Sequence, residues 1–168
     1  MLITKEIEID MAHRVPNHKS KCRNLHGHRY KVEVGVDDKV IADEGASDEG
    51  MVIDFSDLKA GMMEVIDERY DHGSVFYKSD PYKSHFESIQ KGGEQSPDKV
   101  HFVDFIPTAE NLCEMWYYQM KEWLAKRKIK IAHVKIWETP TSTAVFNECD
   151  EPQPKNHYEV LEQNEVCK

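Results

Sequence analysis

Hydrophobic and polar positions alternate from the first residues of the chain. Ile3, Ile7, Ile9, Met11 and His13 fall on one side, and Thr4, Glu6, Glu8 and Asp10 on the other. This two-residue period is that of a strand with one buried face. A second run repeats it, with His26, His28, Tyr30, Val32, Val34 and Val36 sharing a face while Arg29, Lys31 and Glu33 point away. If the two strands pair antiparallel through the loop Arg14 to Leu25, the end of the first lies beside the start of the second, and His13 meets His26 and His28.

Further along, the period changes. Asp37 to Gly50, rich in Asp, Glu and Gly, reads as a solvated connection. The apolar run Gly50 to Phe55 follows, and Asp54 or Ser56 is placed to cap a helix in which Leu58, Met62, Val65, Ile66 and Tyr70 recur at helical spacing, ending near Asp71-His72-Gly73. Val75 to Tyr77 is read as a short strand, Pro81 to Lys91 as a short helix, Gly92 to Asp98 as a loop and Val100 to Phe105 as a strand. Pro107-Thr108-Ala109-Glu110 opens a second long helix, with Thr108 as its cap and Leu112, Met115, Trp116, Trp123 and Leu124 as its buried stripe. Lys126-Arg127-Lys128 put cations at its negative end. Ile129 to Trp137 and Thr141 to Phe146 read as two last strands around a turn at Thr139-Pro140. The order predicts an α+β chain with helices on one face of an antiparallel sheet.

The 168 residues suffice for a single domain, expected over 1–150, with a peripheral tail at 151–168 that contains Pro152 and Pro154. No apolar run is long enough to span a bilayer, and the charged, alternating N-terminal segment is no secretory signal, so a cytoplasmic protein without membrane partners is expected. The four cysteines, Cys22, Cys113, Cys149 and Cys167, form no Cys-x-x-Cys pair, as fits reduced thiols. A net charge of -9 disfavours nucleic acid as a partner.

The chemistry concentrates around the first hairpin. Three imidazoles converging from two strand ends form a ligand set suited to Zn²⁺, and three protein ligands leave a position open for water or substrate. Beside them, Arg14, His18, Lys19, Lys21 and Arg23 make a basic loop in an acidic chain. Such a loop is either merely solvated or a local field that holds an anion.

His13-Arg14, Cys22 to His28, Gly50 to Phe55, Asp71-His72, Pro107 to Asn111 and Trp137-Glu138-Thr139-Pro140 together resemble the signatures of the 6-pyruvoyl-tetrahydropterin synthase superfamily. The short spacing from Cys22 to His26-Gly27-His28 is similar to the 6-carboxy-tetrahydropterin synthase branch, which belongs to queuosine and deazapurine synthesis. The resemblance implies a tunnelling fold, a four-stranded antiparallel sheet with two helices on one face, assembled into a homo-hexamer of two stacked trimers with shared sites. It implies that His13, His26 and His28 bind Zn²⁺ and that the substrate is a pterin triphosphate, converted by carbon-carbon lyase chemistry. It further implies Cys22 as the proton-transferring thiolate, Asp71 and His72 as an acid/base dyad, Glu138 as the anchor of the pterin ring and Thr108 as a further pterin contact. Arg14, Lys19, Lys21 and Arg23 are expected at the phosphates. From the residues alone, Cys22 could instead close a structural zinc site, His72 could serve the helix dipole, Glu138 could be a solvated strand end, and capping accounts for Thr108. The stretch Gly73 to Asp98 is longer than in compact members of the family.

Overall fold

The structure is a computed structural model that describes residues 1–91 and 99–147; the loop expected at Gly92 to Asp98 and the tail lie outside them. The two alternating runs form strands β1 (Leu2–His13) and β2 (His26–Asp37), antiparallel in one unbroken register from Leu2 opposite Asp37 to His13 opposite His26. Register follows from burial, because a slip of one residue would turn every apolar side chain outward. Ile7, Ile9 and Met11 of β1 and Tyr30, Val32, Val34 and Val36 of β2 are accordingly all buried on one face. Each such side chain contributes roughly 1.5–3 kcal/mol of transfer free energy.

Asp54 caps the first long helix by accepting from the Ser56 N–H at 2.6 Å. That helix runs in three continuous pieces: α1 (Phe55–Met62), a π-helical turn (Met63–Asp67) and α2 (Glu68–Tyr70). Strands β3 (Gly73–Tyr77) and β4 (Val100–Val103) flank helix α3 (Lys83–Lys91). Helix α4 (Ala109–Ala125) leads into β5 (Ile131–Thr139) and β6 (Ser142–Asn147). The expected stripe of Leu112, Met115, Trp116, Trp123 and Leu124 is buried, joined by Cys113, Tyr117 and Met120. The α1 and α4 helices pack on the apolar face of the sheet, α1 against β1 and α4 against β5 and β6. At their crossing, a Cβ on Gly61 would stand 2.6 Å from the Trp123 ring, so glycine there is a packing requirement.

The sheet has six strands in the order β4-β3-β1-β2-β5-β6. Its β1-β2-β5-β6 portion is the expected four-stranded antiparallel sheet. The expectation of four strands is corrected by β3 and β4, which add in parallel to the free edge of β1. The α3 crossover makes the parallel step from β3 to β4 possible, and a small satellite core of Phe76, Phe86 and Val100 anchors it, with the two phenyl rings stacked at 3.6 Å. As a result the His13 end of β1 is hydrogen-bonded on both sides, with His26 opposite on β2 and Val75 opposite on β3.

Candidate active site

Strand alternation and register bring His13, His26 and His28 together, with one ring nitrogen of each inside a group whose members all lie within 4.8 Å of one another. Their ring centroids are 4.5, 5.3 and 5.0 Å apart. Two of the rings are oriented by backbone carbonyls: His13 Nδ1 lies 2.7 Å from the Pro107 carbonyl oxygen, and His26 Nδ1 lies 2.8 Å from that of Asn24. Each Nδ1 therefore carries the proton, and each Nε2 keeps a free lone pair, the arrangement that buttressed metal ligands use. Burial lowers the pKa of both His13 and His28, which keeps them neutral near pH 7. Neutral, oriented imidazoles are what a metal ion needs, so this donor set fits one.

Beneath the triad lies a residue that sequence reasoning placed on the inward face but gave no role. The Tyr30 hydroxyl is fully buried, 3.2 Å from His13 Nε2 and 3.4 Å from Glu138 Oε1. Burial, and then the Glu138 charge, push its pKa up, so it stays a donor. The available signal was its place two residues after His28 in the alternation. Glu138, near the end of β5, turns its carboxylate toward the same cluster, 3.7 Å from His13 Nε2 and 4.0 Å from His28 Nε2. Because those imidazoles are neutral, these contacts are electrostatic neighbours rather than ion pairs.

Cys22 sits half-buried in a short 3₁₀ turn, Lys21–Arg23, tied down by the Val15 N–H on its carbonyl at 2.8 Å. Its thiol is outside the donor group formed by the histidines. Thr108 caps α4 by accepting from the Asn111 N–H at 3.5 Å, and it follows the carbonyl that orients His13. Lys19, Lys21 and Arg23 are exposed. Arg14 differs from its loop neighbours: it is buried, its Nη1 bonds Asp80 Oδ1 at 3.1 Å, and its guanidinium lies 4.5 Å from the centroid of the Tyr82 ring. Its charge is thus tied up in an ion pair that fastens the histidine-bearing hairpin to the segment before α3.

The dyad forms, but elsewhere. His72 Nδ1 meets Asp71 Oδ2 at 2.6 Å, and Asp71 Oδ1 accepts the Asp10 N–H at 2.8 Å. Burial pushes the Asp71 carboxyl up, yet these two hydrogen bonds bring it below its ordinary value. His72 occupies the left-handed region, φ 57°, just past the helix end, and its side chain is 79% exposed. It borders a depression with Asp10 and Arg29, the ion-paired residues of the outward sheet face, and with His28 of the triad. Among the described residues no hydrogen bond or ion pair joins this dyad to the histidine triad.

The family model described as 6-pyruvoyl tetrahydropterin synthase matches residues 2–149. A Haemophilus influenzae protein named 6-carboxy-5,6,7,8-tetrahydropterin synthase is 32% identical over 146 residues, 87% of this chain and 98% of the relative. An Aquifex aeolicus protein of the same name is 34% identical over 134 residues, covering 77% of each chain. Among solved structures, an uncharacterized protein of Wolinella succinogenes superposes with a TM-score of 0.72 at 23% identity, over 88% of this chain and 98% of that one. The Caenorhabditis elegans 6-pyruvoyl tetrahydropterin synthase gives 0.59 at 22% identity, over 88% and 94%. At these identities the structures speak for the fold alone. The family match over nearly the whole described chain, and relatives more than 30% identical, show that the chain belongs to the 6-pyruvoyl tetrahydropterin synthase family.

Proposed function

We propose that the protein is a zinc-dependent carbon-carbon lyase that converts 7,8-dihydroneopterin triphosphate and water into 6-carboxy-5,6,7,8-tetrahydropterin, acetaldehyde and triphosphate. The observation that carries this reading is the triad of His13, His26 and His28, two of its rings held by backbone carbonyls, with the Glu138 carboxylate beside it, in a chain whose relatives bear the 6-carboxy-tetrahydropterin synthase name. Zinc, when bound, supplies a Lewis acid that holds the substrate's side-chain hydroxyls and acidifies the adjacent carbon-bound hydrogens. The three histidines would hold the ion. Glu138 offers two acceptor oxygens to neighbouring N–H donors of the pterin ring, with Tyr30 supporting one of them. The Cys22 thiol moves a proton at the side chain, and the Asp71–His72 pair is its acid/base companion. Since no hydrogen bond or ion pair among the described residues joins dyad to triad within one chain, the assembly we propose is a homo-hexamer of stacked trimers in which a neighbouring subunit brings its dyad to each triad.

The test is to incubate zinc-loaded protein with dihydroneopterin triphosphate and weigh the pterin product. A 6-carboxy product with stoichiometric acetaldehyde is expected. A product that retains all three side-chain carbons would transfer the protein to the pyruvoyl-forming activity, and pterin binding without turnover would reduce it to a binding module.

A further inference from the structure

Two of the triad's rings are oriented by carbonyls of very different origin. His26 uses that of Asn24, two residues away on its own loop, whereas His13 uses that of Pro107, 94 residues away in sequence. The proton on His13 also has competing partners. Its Nε2 lies 3.2 Å from the Tyr30 hydroxyl and 3.7 Å from the Glu138 carboxylate, both able to accept. With the proton on Nε2, that nitrogen would have no lone pair left for a metal. The Pro107 carbonyl, 2.7 Å from Nδ1, therefore has to win the proton, and it can do so only if its own loop is fixed.

That loop is locked from the start of α4. The Thr108 N–H donates to the Ile106 carbonyl at 2.8 Å, closing a three-residue turn with the buried Pro107 at its centre. The proline ring presets the φ that such a turn needs. The same Ile106 oxygen accepts a second hydrogen bond, from Asn111 Nδ2 at 2.9 Å. Asn111 is the third residue of α4, where in a capping box a Glu or Gln reaches back to accept the N–H of the cap residue. Here the Thr108 N–H is already committed to Ile106, and the side chain donates instead. An amide can do this and a carboxylate cannot. We propose that Asn111 is a positioning residue for the metal site: by locking the turn it aims the Pro107 carbonyl at His13 Nδ1, and so holds His13 in the tautomer whose Nε2 keeps its lone pair for a metal. The proposal rests on the reading of the triad as a metal site and is independent of the reaction assigned to it.

Asn111→Asp separates this role from a structural one. It is isosteric, removes the donor, and adds a carboxylate in the first turn of α4, where the helix dipole favours it. If Asn111 served only the helix start, the variant should be as stable as wild type and bind zinc as tightly, and a nearby negative charge by itself would tighten zinc further. The expected result is the opposite. In chelator competition, Kd for zinc should rise about tenfold in Asn111→Asp and Asn111→Ala, the loss typical of an outer partner of a metal ligand. Asn111→Gln, which keeps an amide donor, should lose less. In a His13→Ala background, Asn111→Ala should weaken zinc no further. In metal-free, isotopically labelled protein, long-range proton–nitrogen correlation spectra should show His13 protonated at Nδ1 in wild type and shifted toward Nε2 in Asn111→Asp. Zinc affinity unchanged in both variants, or an equal loss in the His13→Ala background, overturns the proposal. A wild type that binds no zinc removes the metal reading; the His13 tautomer then decides the positioning role by itself, an unchanged tautomer in Asn111→Asp refuting it.

Discussion

Tyr30 has one proton and two acceptors. Its hydroxyl reaches both His13 Nε2 and Glu138 Oε1, and the Pro107 carbonyl leaves that imidazole nitrogen as an acceptor. A metal ion on His13 takes the nitrogen's lone pair, so the hydroxyl then has only Glu138 to serve. Tyr30→Phe should therefore leave metal affinity unchanged or slightly tighter while loosening Glu138, raising KM for the pterin about fivefold, the worth of a hydrogen bond of roughly 1 kcal/mol. Metal titration and steady-state kinetics on the same preparation check both halves. Glu138→Gln, which presents one acceptor where two are needed, should raise KM more and should leave zinc in place. A third residue-scale expectation concerns pH. Burial lowers the pKa of His13, His28 and His101 below the ordinary value of 6.5, so in the metal-free protein the unfolded chain takes up these protons first. Stability should hold above about pH 6.5, fall as pH drops below it, and level off beneath the folded-state values, with at most about 1.4 kcal/mol per pH unit from each group. Urea unfolding at a series of pH values measures the slope, and His101→Gln should reduce it by up to one proton.

Elements show which parts of the molecule local sequence can carry. The β1–β2 hairpin, both long helices and both caps, Asp54 and Thr108, were legible because each is a pattern of neighbours: alternation, helical spacing, a side-chain acceptor just ahead of an apolar run. The parallel pairing of Met11 with Gly73 and of Ser74 with Val100 leaves no such trace, since short apolar strands pair with whichever edge the chain's path brings to them. Arg14 illustrates the same limit. In sequence it belongs with the solvent-exposed basic loop, and only the fold reveals Asp80, sixty-six residues on, as its partner. Their side chains are 7% and 0% exposed, so this is a buried pair, and Asp80→Ala should cost about 3–5 kcal/mol by stranding the guanidinium. Combining it with Arg14→Met should recover much of that loss in urea denaturation. Gly61→Ala makes a complementary test at the helix crossing. The Trp123 ring has little room to yield, being held by Glu64 at 2.9 Å and stacked under Arg127, so overpacking should cost about 1–3 kcal/mol.

At the scale of the whole molecule, one chain carries all the proposed chemical groups, yet among the described residues no hydrogen bond or ion pair joins the dyad to the triad. The three histidines converge on one another, whereas the exposed His72 opens to solvent in a depression lined by Asp10 and Arg29 and bordered by His28. The sheet is open, with β4 and β6 at its edges and Val145 of β6 51% exposed, so it has unpaired strand surface to offer a neighbour. A closed ring of identical subunits uses a heterologous contact, which sets one side of a protomer against the opposite side of the next. Such a contact can lay an exposed dyad against a partner's triad. This geometry makes a sharp test possible. Cys22→Ala and His72→Ala should each be nearly inactive alone while still binding zinc. If every site combines Cys22 from one chain with His72 from its neighbour, unfolding and refolding the two variants together in equal amounts should regenerate sites with both residues intact. Random assortment restores roughly a quarter of wild-type activity in such a two-subunit site. Native mass spectrometry of isotopically labelled variants verifies that the subunits have mixed. Mixed oligomers without recovered activity would mean that the dyad serves its own chain or plays no part in the chemistry, and the shared-site assembly would be discarded.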